Sequence, residues 1–378
     1  MEMSPHSGPV SRGGRTTIIE VRYPPHRGRI GLRGSKAPLS WERTTEPTWT
    51  DGELHRFELS LPRGELIELK LVRNDEEWAA GRNYVVHAGD HLGIEPCFDR
   101  STSTVLPRET LRHGDVELAY TVLLPPSYDE QESHRYPVLI AQDGQSMWST
   151  SRDPFGVWNL DTTLDQLFEI GAVEEIIVVA VETAERRLER LSPYADPRHG
   201  GGEARTHLDA IVDGLIPAID RRFRTRAGRE ARALIGSSMG GLFSFWAAWN
   251  RTDVFGKAAC LSSSFWWSQR RLVRDVMNGR TPEPRPFLYL DTGVALSQHE
   301  TDASSRDGFH DTRSMFRALI RHGYVPGQDL HRLAFTGQRH DAAAWAARVA
   351  IPLQLLFPPP PTAEIPDDLV PDPTGPGG

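Results

Sequence analysis

Residues 231–249 read ARALIGSSMGGLFSFWAAW, and this stretch decides the fold of the chain. A short apolar run, a turn of small residues and an apolar segment of helical length follow one another, which predicts a strand, a tight turn and a helix. The turn has the pattern Gly-x-Ser-x-Gly with Ser238 at its centre, the pattern of a nucleophile elbow. Gly236 and Gly240 lack the side chains that would collide with the strand and the helix, and the first N–H groups of the helix would face developing negative charge. We therefore predict Ser238 as the nucleophile of an acyl-transfer reaction.

Composition limits the classes of function. The chain has 378 residues, which suits two domains, and its net charge of −8 with scattered arginines argues against a nucleic-acid partner. No apolar run approaches membrane-spanning length and the N-terminus has no apolar signal region, so we expect a cytoplasmic protein with no membrane partner. Cys97 and Cys260 lie in different predicted domains and form no disulfide framework, which fits a reducing compartment. The oligomeric state is left open by the sequence.

The hydrophobic pattern of the chain changes once along its length. Residues 16–100 consist of short alternating runs separated by turns, which predict a small β-sandwich, and residues 101–108 are predicted as a linker. From 109 to 357 strand patterns alternate with helical patterns, which favours an α/β domain with a mostly parallel sheet and helices on both faces. The polar ends, 1–15 and the proline-rich 358–378, are predicted to be disordered.

A serine nucleophile needs a base for its proton, and in α/β-hydrolases the catalytic histidine comes last along the chain. His340 lies in Gly-Gln-Arg-His-Asp, directly after the strand-like HRLAFTG and before the last helical segment. This position predicts His340 as the general base.

Several motifs in this order resemble the α/β-hydrolase esterases of the esterase D type, the group of the enterochelin esterases, feruloyl esterases and mycolyltransferases. The resemblance covers about residues 108–356 and rests on AQDGQSMW, EEIIVVAVET, the GSSMGGL elbow and CLSSSFWW. It implies an α/β-hydrolase fold, hydrolysis of carboxylic esters through an acyl-enzyme, a small-molecule ester substrate such as a ferric siderophore, and no cofactor. A β-sandwich ahead of the esterase domain is also the layout of the enterochelin esterases.

Two backbone N–H groups are expected to form the oxyanion hole, one from Met239 after the nucleophile and one, by resemblance, from Gln145 in the Gln-Asp-Gly-Gln loop. Trp266, after the strand KAACLSS, and Arg187, after EEIIVVAVE, are candidate substrate contacts at the same edge of the sheet. The alternative is equally open: the tryptophan packs the sheet edge and the arginine is solvated.

The sequence differs from the family pattern at the position of the triad acid. Where feruloyl esterases place an aspartate after the strand FLYLDTG, this chain has Leu296. Glu300 or Asp302 in the following polar insert could replace it, the enzyme could use a Ser–His dyad, or the site could be degraded. A dyad or a displaced acid is favoured, the dyad slightly. The insert is also rich in potential metal ligands, but their spacing fits no zinc motif, so we expect no metal: His299, Glu300, Asp302, His310 and Asp311.

Three functions remain in competition at this stage: a serine carboxylesterase, with siderophore esters as the best substrate; a carbohydrate or feruloyl-type esterase with a sugar-binding module; and a non-catalytic binding protein on a hydrolase scaffold. The second draws on the resemblance of the N-terminal region to starch-binding-like and early-set sandwiches, which sometimes bind sugar through exposed tryptophans. Trp41, Trp49 and Trp78 could serve so, although packing of these side chains within the module is the favoured interpretation.

Overall fold

The computed structural model describes residues 14–183, 186–294 and 307–359. Its N-terminal part contains two four-stranded sheets, one in the order β3-β4-β1-β8 and one in which β5 pairs with β2, β6 and β7. The strands are β1 (Gly14–Arg22), β2 (Ile30–Gly34), β3 (Trp49–Asp51), β4 (Leu54–Pro62), β5 (Leu66–Arg73), β6 (Glu77–Trp78), β7 (Tyr84–His87) and β8 (His91–Ile94). Alternate residues of β1, β4 and β5 are buried in one shared apolar core, the arrangement expected of strands with one face inward.

The second part is built on a nine-stranded sheet in the order β10-β11-β13-β12-β14-β15-β16-β17, with β9 beside β11. Its strands are β9 (Thr104–Val105), β10 (Glu109–His113), β11 (Val116–Leu124), β12 (Val138–Gln142), β13 (Ile177–Glu182), β14 (Arg232–Ser237), β15 (Lys257–Leu261), β16 (Phe287–Val294) and β17 (Leu330–Thr336). From β13 to β17 neighbouring strands are parallel, whereas β10 and β11 pair antiparallel. Every residue of β12 and β14 is buried, as in strands covered on both faces.

Helices cover both faces of this sheet. They are α1 (Leu160–Glu169), α2 (Arg187–Leu191), α3 (Ala204–Asp209), α4 (Ile216–Arg222), α5 (Met239–Asn250), α6 (Trp267–Asn278), α7 (Phe309–Arg321), α8 (Ala342–Ala346) and α9 (Ala350–Leu356). One apolar core joins one face of the strands to α3 through α7, and a second joins the other face to α1, α8 and α9. The sequence prediction of an α/β-hydrolase fold preceded by a small all-β module is confirmed.

Three segments depart from a simple pattern of separate strands and helices. The predicted linker contains β9, which hydrogen-bonds to β11 and so belongs to the large sheet. The last helical segment is interrupted after α8, because Pro352 has no N–H to donate to the carbonyl of Arg348. A π-helical segment, Ala210–Leu215, joins α3 to α4.

The loop between β11 and β12 joins the two parts of the chain. Glu130 in this loop is 1% exposed. One of its carboxylate oxygens accepts hydrogen bonds from the backbone N–H groups of Phe98, at 2.8 Å, and Asp99, at 3.0 Å, and the other accepts from the Tyr23 hydroxyl at 2.6 Å. A buried carboxylate with several donors is well satisfied, so this loop fixes the sandwich against the sheet.

In the part of the chain that the structure describes, no helix is both long enough and apolar enough to cross a bilayer.

Candidate active site

Ser238 lies in the tight turn between β14 and α5. Its backbone has φ 54° and ψ −116°, a conformation that side-chain-bearing residues rarely adopt and that the surrounding structure must hold in place. A Cβ atom on Gly236 would lie 2.5 Å from the carbonyl carbon of Gly240, so the strand and helix approach closely only because residue 236 is a glycine. The turn lifts the Ser238 side chain out at the carboxyl edge of the parallel strands.

His340 meets this serine from the loop after β17. Its Nε2 lies 2.9 Å from Ser238 Oγ, within hydrogen-bond distance. The Trp345 indole packs edge-on against the imidazole, with ring centroids 5.1 Å apart, and limits its rotation. Ser264, which follows β15 in the sequence, has its Oγ 3.2 Å from Ser238 Oγ. The two residues predicted as nucleophile and base are therefore brought together.

The third member of the constellation is Asp307, which is not among the acids predicted from the sequence. His340 Nδ1 lies 2.5 Å from Asp307 Oδ1, and Asp307 Oδ2 accepts hydrogen bonds from Ser262 Oγ at 2.6 Å and from the backbone N–H of Gly293. Asp307 is 2% exposed and lies just before α7. This is the arrangement of a Ser-His-Asp triad.

Asp307 corrects the expectation of a Ser–His dyad, because a carboxylate occupies the position behind the histidine. The other candidate acids, Glu300 and Asp302, and Leu296 at the family position, lie outside the described residues. The sequence held one signal for Asp307: it stands in an Asp-Gly pair directly before an amphipathic helix, where the insert must return to the packed domain.

The two backbone groups expected to form an oxyanion hole occupy neighbouring helix starts. Met239 is the first residue of α5, and Gln145 lies in the 3-10 turn Gly144–Ser146 after β12. First-turn N–H groups have no acceptor within their own helix, which leaves them free to bind an anion. Because β12 and β14 are adjacent and parallel, the two starts lie side by side. The structure therefore places both residues at the same sheet edge as Ser238.

Arg187 lies at the predicted edge of the sheet, where it forms an ion pair with Asp143. Its Nε and Nη2 donate to the two carboxylate oxygens of Asp143, each at 2.8 Å, and Thr183 Oγ1 donates to the same carboxylate at 2.5 Å. Burial disfavours the charged guanidinium, but the attraction and hydrogen bonds of Asp143 outweigh this and raise the pKa of Arg187. Asp143 lies two residues before Gln145, so Arg187 holds the loop that carries Gln145.

Trp266 remains available at the surface. Its side chain is 44% exposed, and its ring packs against His199 and Trp267 with centroids 5.9 Å and 5.6 Å apart. The backbone N–H of Ser264, two residues earlier, donates to the carbonyl of Ser238 at 2.9 Å, so the segment runs beside the elbow. The role of Trp266 as a substrate contact stays a prediction.

In the N-terminal module Trp41 and Trp78 form a pair, and Trp49 lies apart from them. Trp49 and Trp78 are 46% and 43% exposed, and Trp41 packs edge-on against Trp78 with centroids 6.0 Å apart. Arg33 lies over the Trp78 ring and Arg56 over the Trp49 ring, which covers one face of each. Part of this aromatic surface is thus used within the module itself.

Comparisons with known proteins give a family and two relatives in sequence. The family model described as "Esterase: Putative esterase" matches residues 115–349. The chain is 24% identical over 215 residues to the "Uncharacterized protein YbbA" of Bacillus subtilis, covering 55% of this chain and 80% of that protein. It is 28% identical over 347 residues to an "Endo-1,4-beta-xylanase/feruloyl esterase" of Xylanibacter ruminicola, covering 88% of this chain but only 42% of that protein.

Solved structures share the fold at low sequence identity. The enterobactin esterase of Shigella flexneri superposes with a TM-score of 0.51 at 13% identity and covers 92% of this chain and 96% of its own. A ferulic acid esterase superposes with a TM-score of 0.52 at 21% identity and covers 68% of this chain and 98% of its own. The family match spans more than half of the chain and includes Ser238 and His340. The chain therefore belongs to the Esterase family and is an enzyme that hydrolyses ester bonds.

Proposed function

We propose that the protein is a serine carboxylesterase that works through an acyl-enzyme on Ser238. One observation carries this proposal: a continuous chain of two hydrogen-bond contacts runs from Ser238 Oγ to His340 Nε2 and from His340 Nδ1 to the buried carboxylate of Asp307. A nucleophile in contact with a base that is itself oriented by a carboxylate is the constellation needed for acyl transfer.

The reaction follows from these positions. Ser238 Oγ attacks the ester carbonyl carbon while its proton passes to His340 Nε2, and Asp307 stabilises the imidazolium that forms. The N–H groups of Met239 and Gln145 stabilise the negative oxygen of the tetrahedral intermediate. As the C–O bond breaks, the leaving alcohol takes the proton from His340, and the acyl group stays on Ser238. Water, deprotonated by His340, then attacks the acyl carbon. The bond from this carbon to Ser238 Oγ breaks, Oγ takes the proton back from His340, and the acid leaves.

For the substrate we propose a siderophore ester of the enterochelin trilactone kind. The support is the joint layout of both modules: the enterobactin esterases of Shigella flexneri and Salmonella typhimurium each cover 92% of this chain, sandwich included, with TM-scores of 0.51. The partly exposed Trp266 offers an aromatic wall of the kind that a catechol ring would stack on.

A feruloyl-type carbohydrate ester is the second candidate. The xylanase/feruloyl esterase relative matches 88% of this chain, so its similarity extends beyond the hydrolase domain. The exposed Trp49 and Trp78 are the kind of side chain that stacks on sugar rings.

The two candidates are separated by a substrate screen of the purified full chain. A catecholate trilactone, a feruloylated arabinose and aryl esters of increasing acyl length are compared by kcat/KM, with Ser238→Ala as the inactive control. Trilactone hydrolysis well above the feruloyl ester supports the siderophore proposal, and the reverse order supports the carbohydrate ester. If Ser238→Ala hydrolyses these esters as fast as the wild type, the proposed mechanism is wrong.

A further inference from the structure

A buried ion pair lies directly behind the acid of the triad. Arg348, between α8 and α9, is 1% exposed, and Asp291 on β16 is 0% exposed. Arg348 Nε donates to Asp291 Oδ2 and Nη2 donates to Asp291 Oδ1, each at 3.0 Å. The Tyr289 hydroxyl donates to Asp291 Oδ2 at the same distance. This two-point contact fixes the plane of the guanidinium.

The same guanidinium reaches both sides of the triad. Arg348 Nη2 lies 3.8 Å from Asp307 Oδ2, and it donates to Ser262 Oγ at 2.6 Å. Arg348 Nη1 donates at 2.7 Å to the side-chain oxygen of Gln338, two residues before His340. One side chain thus contacts the loop of the histidine and the environment of the acid.

The hydrogen bonds at Ser262 have a fixed direction. Its hydroxyl oxygen accepts from Arg348 Nη2 and from Trp345 Nε1, at 2.6 and 3.0 Å. Both donors are donors only, so the single hydroxyl proton of Ser262 must point to Asp307 Oδ2, which lies 2.6 Å away. Arg348 therefore orients the donor that holds Asp307.

Stability alone gives no reason for this arrangement. Burial raises the pKa of Asp291 despite the opposing effect of Arg348, so the charged carboxylate is costly at this place. Buried ion pairs can often be replaced by apolar side chains with no loss of stability. Two carboxylates around one guanidinium beside a catalytic histidine instead suggest a role in setting the charge and position of the acid.

We propose that Arg348, held in place by Asp291, is a positioning residue that fixes the Asp307 carboxylate for His340 and limits how strongly the imidazole holds its proton. The inference rests on the proposed triad mechanism. The positive charge of Arg348 opposes the imidazolium, whereas the negative charge of Asp291 favours it. The two residues therefore act on the acid limb of the pH–rate profile with opposite sign.

The other charged groups around His340 leave this expectation intact. In its own loop, Arg339 is exposed and Asp341 accepts a hydrogen bond from the N–H of Ala344. From the loop after β12 comes Asp143, which is paired with Arg187. From the start of α7 comes Asp307 itself. None of these groups is altered in the test below.

The test compares the pH dependence of kcat/KM on an aryl acetate for Asp291→Asn and for the double variant Asp291→Asn/Arg348→Gln. A unit charge about 10 Å away, at an effective dielectric constant of about 20, shifts a proton-binding midpoint by about one pH unit. We expect the acid-limb midpoint of Asp291→Asn to fall by about one unit and that of the double variant to rise above the wild type. The double variant leaves no unpaired charge, so it carries the test if a single variant does not fold.

Asp220→Asn is the matched control. Asp220 on α4 pairs with Arg232 at the start of β14, the end of the strand opposite Ser238. This variant should lose stability and keep the wild-type pH profile. The inference is overturned if the acid-limb midpoints of both test variants are unchanged, or if both shift in the same direction. In that case Ser238→Ala is still expected to be inactive. Activity in Ser238→Ala would instead overturn the triad mechanism itself.

Discussion

Replacing Asp307 by asparagine should nearly abolish turnover with little change in the structure. The side-chain atom next to the Gly293 N–H must be a hydrogen-bond acceptor, because this N–H donates to Asp307 Oδ2 in the wild type. The asparagine oxygen will therefore stay there, and its NH2 group will face His340 Nδ1. Since an NH2 group cannot accept a hydrogen bond, Nδ1 must then be the unprotonated nitrogen and Nε2 must carry the proton. A protonated Nε2 cannot take the proton of Ser238.

The magnitude follows from this wrong tautomer. Losing the acid of a Ser-His-Asp triad in this way lowers kcat by about 10³- to 10⁴-fold, which corresponds to about 4–5.5 kcal/mol in activation free energy. The effect should appear in kcat, with KM almost unchanged, because Asp307 is buried behind the histidine.

The assay is steady-state hydrolysis of an aryl acetate by Asp307→Asn, with Asp311→Asn as the matched control. Asp311 lies four residues further on and pairs with Arg270 at 2.7 Å. The control should keep wild-type kcat. A kcat of Asp307→Asn within tenfold of the wild type would refute the assignment, and so would a large loss of kcat in Glu300→Gln or Asp302→Asn with Asp307→Asn still active.

Other expectations can be tested in parallel. Ser238→Ala should fold normally and lose ester hydrolysis by several orders of magnitude, measured by kcat alongside a thermal melt, and loss of labelling by a fluorophosphonate probe should accompany it. Gly236→Ala should destabilise the protein by about 2 kcal/mol or more, measured by urea unfolding, since its Cβ would lie 2.5 Å from Gly240; an unchanged urea midpoint would contradict the close approach. Burial, with a smaller effect of Arg190, lowers the pKa of His207 from 6.5 to about 3, so the folded state keeps this histidine neutral while the unfolded chain takes up a proton as the pH falls below about 6.5. Because of this histidine, the free energy of unfolding should fall by about 2 kcal/mol from pH 7 to pH 5. His207→Gln should not show this fall when urea unfolding is measured at the two pH values.

The sequence was most informative where function depends on neighbouring residues. The elbow is a local feature: the close approach of Gly236 to Gly240 and the apolar run on either side can be recognised within a few residues. His340 could be located because its position is defined relative to the last strand, and that strand has a clear pattern.

Asp307 could not be located in this way. Its role depends on contacts with Ser262 and Gly293, which are 45 and 14 residues away in the chain, and on the path of an insert that has no periodic pattern. Arg348 posed the same difficulty, because an arginine between two apolar helical segments resembles a surface residue until Asp291 is placed beside it. The contact of Arg187 with Asp143 could not be predicted either, since Asp143 lies 44 residues earlier. Pairing between distant side chains was the information that the sequence pattern lacked.

The loop that carries Glu130 has a consequence for how this enzyme could have evolved. The buried carboxylate belongs to the catalytic part, but several of its donors, Tyr23 and the N–H groups of Phe98 and Asp99, belong to the sandwich side. A lineage that loses the sandwich leaves this glutamate in water, where selection no longer constrains it. A lineage that exchanges the sandwich for an unrelated one must rebuild the loop as well. The two parts are therefore expected to be inherited together, and a glutamate at position 130 should mark the relatives that carry this sandwich.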